Sequence, residues 1–398
     1  MKLKYNILGL LLLFLLNSLA QETKTPTFGN GVFNLVGKDS TWTMKVGARM
    51  QFLTKVNWDQ NEDSGFENLQ QDFSIRRARV KFDGFAYSPK LKYKIELGVS
   101  NRDISGASEF TSNSPRYILD GVLMWNFYGN FEFWMGQTKL PGNIERVISS
   151  GNLQQVNRSL LNSNFTIDRD QGIQIRHLFN LTENFIIKEK LAISQGEGRN
   201  ITSGNLGGLQ HTARLEFFPF GDFRAYIASD LKRIISPKLM LAVTLDHNKD
   251  AVKTRSNQGT YMINDIGFFE TDINTIFVDV MFKYLGYAFM AEFAHRDATD
   301  PLAKNSDGSL TGDIVQIGNG LNLQTGYLLR NNWEVSGRFT NIDFDKTITG
   351  LSTQNQYTLG LSKYIVGHKL KIQTDFSYLA EEINKDELMW RLQVDIHF

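Results

Sequence analysis

Trp42-Thr43-Met44-Lys45-Val46-Gly47-Ala48-Arg49-Met50-Gln51-Phe52 decides the architecture. Trp42, Met44, Val46, Ala48, Met50 and Phe52 fall on one side, and Thr43, Lys45, Gly47, Arg49 and Gln51 on the other. Side chains of an extended backbone alternate faces, so a period of two means a strand with one apolar and one polar face. The same alternation runs through 91–99, and through 390–398 with Trp390, Leu392, Val394, Ile396 and Phe398 on the apolar side.

Sixteen such segments lie near 42–56, 73–88, 91–100, 117–128, 131–140, 172–179, 185–193, 209–218, 238–247, 275–284, 287–295, 318–329, 333–341, 354–365, 369–379 and 389–398. Their connections alternate in length. Short turns fall at Pro89-Lys90, Gly129-Asn130, Leu285-Gly286, 330–332 and 366–368; longer polar stretches fall at 57–72, 101–116, 141–171, 248–274 and 296–317. The connection 219–237 sits where a tight turn belongs and is long. An even strand number with short turns at one end and long loops at the other is the pattern of outer-membrane barrels. The physical reason is that lipid offers no hydrogen bonds, and a closed sheet leaves no backbone edge unpaired. The expected fold is all-β: a transmembrane antiparallel β-barrel of 16 strands, apolar face outward and polar face lining the lumen. Aromatics near strand ends (Trp58, Trp125, Phe127, Phe218, Tyr284, Tyr287, Trp333) read as interfacial girdles.

Composition agrees once the faces are separated. The chain has 398 residues, of which 41% are hydrophobic, which is lean for a helical membrane bundle. Beyond the first twenty residues no apolar run approaches the ~20 residues of a spanning helix. A barrel strand needs only half its side chains apolar. The absence of cysteine excludes disulfide frameworks, thiolate metal sites and cysteine nucleophiles. A formal charge of +1 argues against nucleic acid as a partner.

The termini carry addresses. Lys2 and Lys4 precede an apolar run from Ile7 to Leu16, then Asn17-Ser18-Leu19-Ala20. This reads as a secretory signal peptide over 1–20, cleaved after Ala20. Residues 21–41 are then an N-terminal periplasmic segment, and 42–398 one barrel domain. The expected location is the outer membrane of a Gram-negative bacterium, in contact with its lipid. The final strand ends on Phe398, a terminus of the kind the outer-membrane assembly machinery reads.

Function belongs to the inward positions and the loops. On the second strand the register sends Arg77, Arg79, Lys81 and Asp83 inward. Lys45 and Arg49 on the first strand and Lys92 and Lys94 on the third flank them. Columns of Arg and Lys in a pore favour anions. Through the seventh strand the inward register holds ten cations and four acids. From the eighth onward it holds five cations (Arg214, Lys283, Arg338, Lys371, Arg391) and seven acids (Glu216, Asp246, Asp279, Glu292, Glu334, Asp375, Asp395). The expectation is a field across the lumen, basic on one side and mildly acidic on the other. The longest loop, near 141–171, carries Arg146, Arg158 and Arg169 beside Ile144, Val147, Ile148, Leu160, Leu161 and Phe165. So much apolar surface points to a constriction loop packed into the lumen. The six histidines (His177, His211, His247, His295, His368, His397) lack zinc-ligand spacing, and no Gly-rich phosphate loop is present. Neither metal nor cofactor is expected, nor an enzyme.

Three motifs carry a family resemblance. Arg76-Arg77-Ala78-Arg79-Val80-Lys81-Phe82-Asp83-Gly84 resembles the "RRAR-x-x-F-x-G" stretch of the phosphate-selective porin O and P family. Gly136-Gln137-Thr138-Lys139-Leu140-Pro141 is similar to its "GQ-x-K-x-P" entry to the constriction loop, and Arg169-Asp170-Gln171-Gly172 to the "RD-x-G" that ends it. The resemblance implies a sixteen-stranded porin, usually trimeric, passing small anions such as phosphate or polyphosphate by passive diffusion. It implies Arg77, Arg79 and Lys81 as lumen cations and Lys139 as a loop-entry cation. The later, acidic strands depart from the family pattern. The candidate pore-lining, anion-binding set is Arg77, Arg79, Lys81, Lys92, Lys94, Lys45, Arg49, Lys139 and Arg146. The alternatives are a general weakly selective porin, or a barrel enzyme or adhesin with an occluded lumen.

Overall fold

The computed structural model describes residues 26–60, 65–382 and 385–398, so the signal-peptide reading of 1–20 lies outside the described residues. Sixteen antiparallel strands form one barrel. They are β1 Thr43–Gln60, β2 Phe66–Ala86, β3 Ser88–Gly98, β4 Ile118–Tyr128, β5 Phe131–Lys139, β6 Arg169–Asn180, β7 Ile186–Ser194 and β8 Gln210–Phe218. They continue with β9 Lys238–Ala251, β10 Thr271–Tyr284, β11 Tyr287–Ala298, β12 Gly318–Leu328, β13 Trp333–Phe344, β14 Gln354–Tyr364, β15 Leu370–Glu381 and β16 Glu387–His397. Each pairs with its neighbours in sequence, and β1 closes the ring on β16 from Arg49↔His397 to Asp59↔Glu387. Closure removes the edge on which an open sheet would aggregate. A short strand, Phe33–Val36, folds back on Thr43–Val46 as a hairpin, and Phe28 stands edge-on to Phe398 at 5.9 Å.

Exposure is inverted relative to a soluble sheet. Phe73 and Leu359 are 76% and 71% exposed on the outer wall, whereas Asp279, Glu334 and Lys371 inside are fully buried. Trp125, Phe127, Tyr284, Tyr287 and Trp333 lie exposed on the outer face, as girdle residues should. Phe218 corrects that reading: it turns inward and is fully buried. At Leu285-Gly286 both residues have positive φ, +48° and +89°, the two-residue hairpin turn whose twist matches its strands. The β2–β3 turn sits at Tyr87, with Pro89-Lys90 already inside β3.

Among the connections that pack inward, two carry most of the buried apolar surface. The β5–β6 loop folds inward as expected, carrying short helices Ile144–Val147 and Leu160–Asn164. Ile144, Ile148, Leu161, Phe165 and Ile167 are fully buried. Leu161 and Phe165 pack on Phe277, Ala294, Ile342 and Phe344 of the far wall. The connection 219–237 enters from the opposite end. Its Phe223, Ala225, Tyr226 and Ala228 share a cluster with Ile144, Ile148 and Leu153 of the loop, and the Ala228 amide donates to the Asn152 carbonyl at 3.0 Å. Its length is therefore packing, not slack. The wall makes room for these inserts: a Cβ on Gly326 or Gly360 would come within 2.2 Å of Gln154 or Gln155 of the loop.

Candidate functional site

The site begins with a slip in register. Gln51 faces Arg77 and Phe52 faces Ile75, so Arg76 is the extra residue of a β-bulge in β2. The bulge buries two consecutive arginines in the lumen. Arg76 donates to the Val156 carbonyl at 2.9 Å and also to Asn157, both in the inward loop. Arg77 donates to Gln51 Oε1 at 2.7 Å. Strict alternation from Arg77, Arg79 and Lys81 sends only Arg77 of the pair inward; the bulge sends both. The Arg-Arg pair in the motif was the available signal.

The basic wall of β2–β6 and the inward loop enclose a cavity of about 630 Å³. Thirteen arginines and lysines line it against four carboxylates. Most of these cations fall into two groups. In the first, Arg79 forks onto Asp103 at 2.9 and 2.7 Å and reaches Glu96 at 3.1 Å. Lys94 meets Asp120 at 2.6 Å and Glu96 at 3.0 Å, and Arg169 forks onto Asp120 at 3.0 and 3.1 Å. Arg146 pairs with Asp168. In the second group neutral oxygens do the holding. Arg158 donates to the Glu145 and Ile148 carbonyls at 3.0 and 2.7 Å, and Arg176 to Gln174 Oε1. Arg199 donates to the Asp103 and Arg116 carbonyls. Lys139 Nζ takes the Arg146, Val147 and Ile148 carbonyls at 2.7, 3.1 and 3.1 Å, closing the end of the short helix. Arg76, Arg77 and Arg255, which donates to the Ser163 carbonyl at 2.6 Å, belong here too. A neutral oxygen satisfies an N–H without cancelling its charge, so these seven leave net positive field in the cavity.

Crowding of like charges registers in the loops. Burial, then the nearby Arg158 and Arg169, hold the Arg146 guanidinium well below its ordinary range. Burial, then Arg116, pushes Arg199 down to about 9.

The remaining nominated cations lie elsewhere. Arg49 is buried but forks onto Asp395 at 3.0 Å twice, with its third nitrogen on Ser150 Oγ at 2.9 Å. Lys81 meets Asp83 at 2.9 Å and is half exposed. Lys45 sits opposite Asp83 and Asn34, and Lys92 is exposed near the turn end of β3. None of these four lines the cavity.

The later strands use their acids to grip the inserts. Glu292 accepts the Glu145 amide and Asn143 Nδ2 at 2.8 and 3.0 Å. Glu334 accepts Gln154 at 2.7 Å, Ser229 at 2.8 Å and Tyr364 at 2.5 Å. Asp375 accepts the Val156 amide at 3.0 Å. Cations there do likewise: Lys371 donates to the Leu153 carbonyl and Arg338 to that of Asn157. Arg296, which the inward tally omitted, is fully buried and holds the Asn164 and Phe165 carbonyls. Six of the seven acids are thus anchors or ion-pair partners, and Asp246 accepts Gln210 and Thr212 of the wall; they form no acidic wall facing the open space.

A closed sixteen-stranded barrel, inverted in polarity and narrowed by an inward loop, is the architecture of outer-membrane porins. Residues 46–184 match the family model of the phosphate-selective porin O and P, which bears out the motif resemblance. No curated protein matches the chain. Among solved structures the chain is similar to an anion-selective porin from Comamonas acidovorans (11% identity, TM-score 0.54, 89% of this chain and 100% of that one). It is also similar to the outer membrane channel DcaP of Acinetobacter baumannii (12% identity, TM-score 0.55, 92% and 99%). A third is outer-membrane expressed OmpT of Vibrio cholerae (10% identity, TM-score 0.52, 90% and 99%). At these identities the likeness is one of fold. The family match over 46–184 and the barrel fold are both those of outer-membrane channels.

Proposed function

We propose that this protein is an anion-selective diffusion channel, passing small anions such as phosphate or polyphosphate. The observation that carries the reading is the excess of cations in the cavity, seven of them held by neutral oxygens. A confined lumen with low-dielectric walls focuses such a field and raises the local anion concentration. The bonds that fix these cations are internal, so a passing anion meets charge without being trapped by it, as conduction requires. The phosphate selectivity of the matching family and the anion selectivity of the Comamonas porin support the sign of the preference. A homotrimer, export through the N-terminal signal and assembly through Phe398 complete the proposal.

Reversal potentials of the purified protein in planar bilayers under a salt gradient test it. Anion preference is expected; clear cation preference would overturn it. Titrating phosphate against chloride current tests the finer point. Saturating block is the result expected of a phosphate path, and a proportional, unsaturated response is that of a general anion filter.

A further inference from the structure

The cavity is larger and less uniformly polar than a passage for inorganic phosphate needs. Its volume of about 630 Å³ falls among pockets that hold whole organic ligands, roughly 300–1,000 Å³. Leu119, Val147, Leu160 and Met389 line it together with the cations. So does Trp134 of β5, whose ring lies among these cations. The Arg176 guanidinium lies over the Trp134 ring, 3.5 Å from its centre. The indole N–H is fixed by Glu132 Oε2 at 2.9 Å, and Gln174 Oε1 holds Arg176. Both planes are therefore set before any solute arrives. A stacked indole and guanidinium offer ring contact and positive charge at the same place.

We infer that Trp134 and Arg176 form a recognition step for organic anions that carry an apolar ring, such as aryl phosphates and aryl carboxylates. The inference rests on the anion-channel reading and adds a preference within it: charge brings any anion into the cavity, and the stacked pair retains those with a ring. Inorganic phosphate meets only the charge.

The experiment is block of chloride current in planar bilayers by phenyl phosphate and by inorganic phosphate, at a pH where both are dianions. Phenyl phosphate should half-block at about ten-fold lower concentration, the scale of one aromatic contact in a confined site. Equal half-blocking concentrations in the wild-type protein would overturn the inference, and this comparison needs no variant. Trp134→Leu should raise the phenyl phosphate value to that of inorganic phosphate and leave the latter unchanged; retained chloride conductance certifies the variant's fold. A Trp134→Leu channel that still prefers phenyl phosphate would also overturn the inference. A cation-selective wild-type channel would instead sink the reading beneath it, so the two failures are distinguishable.

Discussion

The lumen of this barrel has two unlike halves. Along β2–β6 the inward side chains border open space, and their cations exceed their acids. Along β8–β15 the inward side chains are covered: Glu216, Asp279, Glu292, Glu334 and Asp375 are fully buried beneath the loop and the 219–237 insert. One half presents charge to solute; the other converts charge into fixed hydrogen bonds. A column of inward charges therefore has no functional meaning until one knows whether solvent or protein faces it.

Breaking the covered half should have the largest effect. Glu334→Ala leaves Gln154, Ser229 and Tyr364 without their shared acceptor, at a cost of about 1–3 kcal/mol for each buried group left unsatisfied. Both inserts touch that carboxylate, so single-channel conductance should rise and 219–237 should become sensitive to protease. Unchanged conductance would show that the two halves are not coupled there.

Next in size is the open half. Replacing Arg77, Arg158 and Arg199 by Gln removes charge that is held by neutral oxygens rather than closed in an ion pair among the described residues. The anion-to-cation permeability ratio should fall several-fold, about 1 kcal/mol in selectivity. A matched control, Arg49→Gln with Asp395→Asn, removes a closed ion pair outside the cavity and should leave the ratio unchanged. If the control shifts the ratio equally, the distinction between bare and balanced cations fails.

The smallest expected effect tests a loop at the open half. Glu197 accepts the Leu206 and Gly207 amides at 3.2 Å, and burial raises its carboxyl to about 7. The folded loop thus holds a proton that the unfolded one releases near 4.5. Its docking is fully stable below about pH 4.5 and weakens as pH rises through about 7. Proteolysis within 195–209 should therefore increase from pH 5 to pH 8 in the wild-type protein more than in Glu197→Gln. Equal pH dependence in the two would remove the carboxyl from the explanation.

Much of this was readable from the residues. The sixteen strands follow from a local period, because each strand must show lipid and lumen to opposite sides whatever its neighbours do. The inward loop followed from apolar residues such as Ile144, Leu161 and Phe165, too many for a solvated loop. The 219–237 insert carried the same sign in Phe223, Ala225, Tyr226 and Ala228, but its position among the tight turns obscured it. Strict alternation misplaced Arg76, because a bulge is set by the pairing of β2 with β1 and not by either strand alone.

The sequence by itself determined the barrel, its inverted faces and an uneven charge distribution between early and late strands, because these depend on period and composition. Only the tertiary structure decided which charges matter to a solute. Arg49 and Arg77 look alike in the sequence, yet one forks onto Asp395 and the other rests on the neutral Gln51. Asp395 is hundreds of residues from Arg49 along the chain and lies against it only because β16 closes the ring on β1. Charge is written in the sequence; its cancellation depends on distance, and distance is a property of the closed barrel.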